Sequence, residues 1–254
     1  NAKIATGTTN WSVALPAFAD GGYQIHVQSV DNADNASPWR LRHFFMDPTP
    51  PTVAIQRPAS NSSTTNLTNI RGIAGDGGGT GISSNLVYFT LYQDGDFWTG
   101  FDWRSNTSAQ DPEVLLTANV VGGEWSYNQL PEGPDARTGQ YSISTFVKDG
   151  ATNVSQPNPG VSSVFFTVDR TEPTATITSP ANGSSITNLP SGNWFSGTAA
   201  DNLGVAYVNL FIRREFDGLY WNGSSWAALS TPASIITSSL NAGAWQNTSS
   251  LPVP

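Results

Sequence analysis

The chain has 254 residues, a formal charge of −8, and 38% hydrophobic against 12% charged residues, which is apolar enough for packed cores and excludes a disordered polymer. It has no cysteine, which excludes disulfide scaffolds, thiolate catalysis and Cys-ligated zinc, and its only lysines are Lys3 and Lys148. An acidic, lysine-poor surface repels phosphate backbones, so nucleic acid is not an expected partner, and no apolar run is long enough for a membrane span.

Ser, Thr and Asn, with 24 Gly and 17 Pro, break the apolar residues into short stretches, and no window has the period of a long amphipathic helix. The expected fold is all-β. In chain order, "GGYQIHVQSVDNADNAS" (21–37) comes first, with Tyr23, Ile25 and Val27 alternating with polar neighbours as in a strand with one face on a core. The proline-marked "MDPTPPTV" (46–53) ends this stretch, because proline cannot donate to a ladder. Strands are then predicted over 52–56, 70–74, 86–93, 114–117, 123–128, 140–148 and 162–169. A second proline junction, "VDRTEPTA" (168–175), opens the last stretch.

The stretches repeat one another. "GGYQIHVQSVDNADNAS" matches "GQYSISTFVKDGATNVS" (139–155), pairing Tyr23 with Tyr141 and Asp31 with Asp149. "PPTVAIQRPASNSSTTNL" (50–67) matches "EPTATITSPANGSSITNL" (172–189), "IRGIAGDG" (70–77) matches "WFSGTAADN" (194–202), and "LVYFTLYQ" (86–93) matches "VAYVNLFI" (205–212). Trp11, Trp125 and Trp245 mark three successive copies, giving a domain-sized period near 120 residues. The frame is therefore a partial repeat with the later strands at 1–48, a complete repeat at 49–170, and a partial repeat with the earlier strands at 171–254. Tyr23 and Tyr141 each follow a glycine by two residues, the placement of a tyrosine corner that pins a Greek-key crossing. The fold expected is an immunoglobulin-like β-sandwich in tandem copies.

"FFTVDRTEPTATITSPANGSSI" followed by "GTAADN", and the D-x-x-x-N loop of "GQYSISTFVKDGATNVS", resemble the Ig-like tandem repeats of large bacterial surface and adhesin proteins. The resemblance covers essentially the whole chain. It implies extracellular or cell-surface residence and a structural role as stalk, adhesin shaft, filament or fibre subunit, with no enzyme activity. It also implies that calcium is a candidate cofactor, since relatives bind Ca²⁺ at repeat junctions through oxygen ligands. The weak metal candidates are Asp31 and Asp149 in the D-x-x-x-N loops and Asp47 and Asp169 at the junctions, although each is also an ordinary turn-former and no D-x-D-x-D cluster appears.

An aromatic element also recurs, "DGDFWTGFDW" (94–103) and "DGLYWNGSSW" (217–226). Trp98, Trp103, Trp221 and Trp226 could stack on pyranose rings, which would make surface glycans a partner. Persistence in two copies instead favours a packed hairpin whose turn is eased by Gly100 and Gly223. "GDGGGTG" (75–81) has phosphate-loop glycines without the following Lys-Ser/Thr, and it aligns with the plain turn "ADNLG", so it reads as a loop insertion. Two histidines, no G-x-S-x-G and no placed pair of acids leave no catalytic constellation. Among the N-x-[S/T] sequences, Asn35 and Asn153 alone fall at matching repeat positions.

The function expected is an extracellular structural repeat protein. A glycan-binding module using aromatic turns, or a spacer of a secreted hydrolase, is the alternative. Starting at Asn1 inside one repeat and stopping inside another, the chain reads as processed or as a fragment. Neither partial copy should be stable alone, so neighbouring copies of the same chain are the expected partners. They would complete the split domains head to tail by strand complementation or as a longer covalent array.

Overall fold

The computed structural model describes residues 4–5, 10–105, 107–185, 195–222, 224–228 and 236–247, the side chains of 236–240 and 247 excepted. These form two compact units, Asn1–Asp169 and Arg170–Pro254. The sequence alternation is realised as a core face and a wet face. In the longest such strand Tyr141, Ile143, Thr145 and Val147 are all buried, while their neighbours alternate outward.

In the first unit β1 (Gly21–Val27) and β2 (Arg40–Met46) form an antiparallel hairpin. The complete sandwich follows. Its strands are β3 (Thr52–Arg57), β4 (Ser62–Thr64), β5 (Ile70–Gly75), β6 (Ile82–Gln93), β7 (Asp96–Trp98), β8 (Trp103–Ser105), β9 (Leu116–Val121), β10 (Glu124–Tyr127), β11 (Gly139–Asp149) and β12 (Ser163–Val168). The hydrogen-bonded order is β3-β5-β10-β9-β6-β11-β12-β4, and β9 carries the ladder from one face to the other. Its Leu116–Asn119 stretch pairs with β6, while Val120 and Val121 pair with β10. Gly122 and Gly123 sit at φ 61° and 85°, the left-handed turn this tight hairpin needs. The strand predicted at 114–117 thus starts later and runs further, because Val114 closes a turn onto the Asp111 carbonyl at 3.1 Å.

Between the faces lie Ile70, Val87, Phe89, Leu91, Trp125, Tyr141, Ile143 and Phe166. Trp125 packs over Gly72, where an added Cβ would fall 1.9 Å from the Ala54 carbonyl and 2.8 Å from the indole nitrogen. Glycine is what lets β3, β5 and the indole approach so closely. The tyrosine corner is present: Tyr141 donates its hydroxyl to the Arg137 carbonyl at 2.7 Å and accepts from the Arg137 N–H at 3.1 Å. Tyr23 donates to the Ala19 carbonyl at 3.0 Å, and its ring stacks on Phe44 as Tyr141 stacks on Phe166.

The second unit contains β13 (Thr174–Ser179), β14 (Phe195–Ala200), β15 (Val208–Leu210), β16 (Tyr220–Trp221), β17 (Trp226–Ala227), β18 (Ile236–Asn241) and β19 (Ala244–Asn247). The order β13-β14-β19-β18-β15 repeats β3-β5-β10-β9-β6, and β16–β17 is a separate two-stranded ribbon. Trp245 packs over Gly197 as Trp125 packs over Gly72, with its indole donating to the Thr176 carbonyl at 3.0 Å where Trp125 donates to the Ile73 carbonyl. Among the described residues the architecture is β throughout, with an immunoglobulin-like β-sandwich over β3–β12, apart from one 3₁₀ turn at Gly133–Asp135.

Candidate metal centre

Three carboxylates converge at the junction end of the complete sandwich. Asp47 follows β2 and enters the proline linker, Asp76 follows β5, and Asp149 closes β11. One oxygen from each lies within 4.8 Å of the others. Asp47 and Asp149 are 6% and 2% exposed, so this is a buried constellation and not a solvated acidic patch.

Asp149 and Asp76 are aimed by their own loops, and Asp47 by Thr80 of the loop that carries Asp76. Asp149 Oδ1 accepts from the Asn153 N–H at 2.8 Å, and Oδ2 accepts from the Asn153 side-chain amide at 2.6 Å. That amide also donates to the Asp47 carbonyl at 2.6 Å, so Asn153 fastens the junction to the D-x-x-x-N loop. Asp47 Oδ2 accepts from the Thr80 N–H at 3.0 Å and from the Thr80 hydroxyl. The Thr80 hydroxyl beside it is the main cause holding the Asp47 carboxyl below the ordinary carboxylate range. Asp76 Oδ1 accepts from the Gly78 N–H at 3.0 Å, an Asx turn.

What remains is unpartnered. Asp47 Oδ1 and Asp76 Oδ2 are both buried and neither receives a hydrogen bond. Leaving anionic oxygens dry and unpaired is costly, and three carboxylates this close repel one another. A divalent cation removes both costs. All donors are hard oxygens, with no imidazole or thiolate among them, which fits calcium or magnesium and not zinc. Loop 75–81 forms a cradle for such a group. A Cβ on Gly78 would fall 2.0 Å from Asp47 Oδ1, and the Gly81 carbonyl accepts from the Gly150 N–H at 3.0 Å.

The sequence candidates therefore divide. Asp47 and Asp149 come together; Asp31 and Asp169 are not part of the cluster. Asp31 is exposed and paired with Asn35, in the same bonding pattern as Asp149 with Asn153, and that pairing holds its carboxyl below the usual range. "GDGGGTG" is a loop, as its sequence predicts, and in addition it brings Asp76 against Asp47. The available signal was the alignment of Asp76 with Asp201. Asp201 has the same Asx turn, with Oδ1 accepting from the Leu203 N–H at 2.8 Å, and the same buried, unpartnered Oδ2.

The aromatic turns are built differently from a stacking platform. Trp98 is 3% exposed and donates to the Gln129 carbonyl at 2.8 Å, and Trp221 is 8% exposed. Trp103 donates to the Asp135 carbonyl and lies under the Arg137 guanidinium, 4.6 Å from its ring centre. Arg137 in turn holds Asp96 at 2.7 Å. Trp226 lies under Arg214 at 4.6 Å, and Arg214 holds Asp217. These are the contacts of the packed hairpin that the recurrence favours: two of the rings are buried and the other two are capped by arginine. Gly100 takes φ 99° at the first turn, while Gly223 lies outside the described residues.

No family model matches the sequence, and no curated protein does. Among solved structures, the chain is similar to a tetra-tandem repeat from the extending region of a large adhesion protein, at 17% identity over 91% of this chain and 48% of that one, with a TM-score of 0.32. It thus spans about half the length of that structure. It is also similar to fibronectin(III)-like modules of CbhA from Clostridium thermocellum, at 20% identity over 63% of this chain and 69% of that one, with a TM-score of 0.31.

Proposed function

We propose that the chain is a structural segment of an extracellular repeat protein, a stalk, adhesin shaft or fibre subunit. In this reading calcium stiffens its junction, and its open half-sandwiches are completed head to tail by half-sandwiches of other repeat segments. The observation that carries the reading is Asp47: a carboxylate of the interrepeat linker itself is turned inward against two carboxylates of the following sandwich. A cation held there by Asp47, Asp76 and Asp149 would tie the linker to the ends of β5 and β11 and convert a hinge into a strut.

The test is calcium titration of chelator-stripped protein by calorimetry, with melting followed in parallel. Extracellular modules bind calcium at roughly 10⁻⁴–10⁻³ M. At 10 mM calcium the gain should be about 1.4–2.7 kcal/mol, raising the first unit's midpoint by roughly 3–10 °C. Asp76→Asn and Asp149→Asn should abolish the shift. No heat and no shift at 10 mM calcium would remove the metal from this reading.

A further inference from the structure

The complete repeat shows what covers the inner face of a β11–β12 hairpin, and the β1–β2 hairpin differs from it at two positions. β1 pairs with β2 in the register Tyr23–Phe44, Ile25–Arg42 and Val27–Arg40. β11 pairs with β12 as Tyr141–Phe166 and Ile143–Val164, and Thr145 accompanies Ser162. Arg42 therefore stands where the complete sandwich has Val164, and Arg40 where it has Ser162, both of them buried there. On β1–β2 these arginines share the inner face with Ile25 and Val27, and with Trp11 they line one hollow. Among the described residues, neither guanidinium has an ion-pair partner, and β2 is the only named strand paired to β1.

We propose that this face is an interaction surface for an acid-bearing β-strand, added along the edge of β1 opposite β2 in the position β6 holds against β11. The inference rests on the completion of half-sandwiches proposed above and names the chemistry of the completing strand. In the complete repeat β6 lays Leu91 across from Ile143 and Phe89 across from Thr145. A strand in the same register on β1 places its equivalent residues across from Ile25 and Val27, in the rows that end at Arg42 and Arg40. Carboxylates there meet the guanidinium groups. Apolar residues there bury two unpaired charges, which is strongly unfavourable. The named strands in the second unit of another copy supply no such groups. Its strand equivalent to β6 turns Val208 and Leu210 inward, and β13, β14, β18 and β19 contain no Asp or Glu. The arginines therefore select against a like half and for an acidic one, so that charge sets which half joins which.

The experiment uses the full 254-residue chain and two labelled peptides. One has the β6 sequence of residues 82–93; the other is the same peptide with Phe89→Glu and Leu91→Glu. Binding is read by fluorescence anisotropy at 50 and 300 mM salt. The acidic peptide should bind at least tenfold more tightly at low salt and lose most of that advantage at high salt. Arg40→Ser with Arg42→Val should erase or invert the preference, whereas Arg40→Lys with Arg42→Lys should keep it. The Ser/Val variant should also self-associate in sedimentation velocity where the native chain does not. Equal binding of the two peptides would overturn the charge preference and leave completion of the hairpin standing. Binding of neither peptide would overturn both. Binding of a polyuronate with both peptides excluded would place a glycan on the face instead and overturn the proposal.

Discussion

Gly72→Ala is the sharpest probe of the packing that defines the repeat. The new Cβ would lie 1.9 Å from the Ala54 carbonyl oxygen and 2.8 Å from Nε1 of Trp125, far inside contact distance. The first obstacle is backbone in the neighbouring strand β3, so no rotamer change relieves it. Either β3 and β5 part or the ladder between them tilts. Overpacking a well-filled core costs about 1–3 kcal/mol, and the backbone clash puts this substitution at the upper end. Trp125→Ala attacks the same contact from the other side and leaves a cavity beneath Phe89, whose ring centre is 5.9 Å away. It should cost about 3–5 kcal/mol. The assay is urea unfolding followed by tryptophan fluorescence and by hydrogen exchange, so that the two units are resolved. Gly72→Ala should weaken the first unit and leave the second unchanged, and Gly197→Ala should do the reverse, since its Cβ would meet the Thr176 carbonyl at 1.8 Å. The double variant Gly72→Ala/Trp125→Ala should remain less stable than Trp125→Ala alone, because removing the indole does not remove the carbonyl. A loss below about 1 kcal/mol for either single variant in the first unit would refute the packing argument.

Two further outcomes follow from the corner and the junction. Tyr141→Phe removes a hydroxyl that both donates to and accepts from Arg137, and it should cost roughly 1–3 kcal/mol in the same unfolding assay. A loss within error would mean that the corner positions nothing. In calcium-free buffer, the depressed Asp47 carboxyl contributes stability that is present above the unfolded value near ~3.9 and is lost as pH falls through its lower folded value. The gap in melting midpoint between the native chain and Asp47→Asn should therefore be constant from pH 7 to about 5 and close below about 4. A gap that widens in acid would contradict the Thr80 hydrogen bonds as its cause.

Much of the fold was legible because strand periodicity and repetition are local signals that reinforce each other. Tyr23 and Tyr141 alternate with polar neighbours, and each sits two residues after a glycine held at positive φ, Gly21 and Gly139. Trp125 and Trp245 recur opposite Gly72 and Gly197, a pairing visible in the sequence as two aligned residues whose contact only the fold reveals. The shift at β9 was less legible. Val114 is fully buried yet lies in a turn, so apolar character alone marked the wrong start for the strand.

The carboxylate cluster proposed as a metal centre was half legible, and the missing half has a physical origin. Asp47 and Asp149 were readable because one marks a junction and the other begins a D-x-x-x-N loop. Asp76 was hidden because its glycine-rich surroundings resemble turn chemistry, and its first oxygen does serve an Asx turn. The second oxygen carries the information. In Asp76 and in Asp201 it is buried and receives no hydrogen bond, although the two loops differ in length and share little besides the aspartate. A turn-forming aspartate has no need to bury its other oxygen, since water at the surface would solvate it without cost. Both copies do so, and Asp76 also meets the carboxylates of Asp47 and Asp149, which is the basis for proposing it as a ligand position. Asn153 was legible only as a turn-former; the fold shows its amide taken by Asp149 and by the Asp47 carbonyl, so that it fastens the junction to the D-x-x-x-N loop.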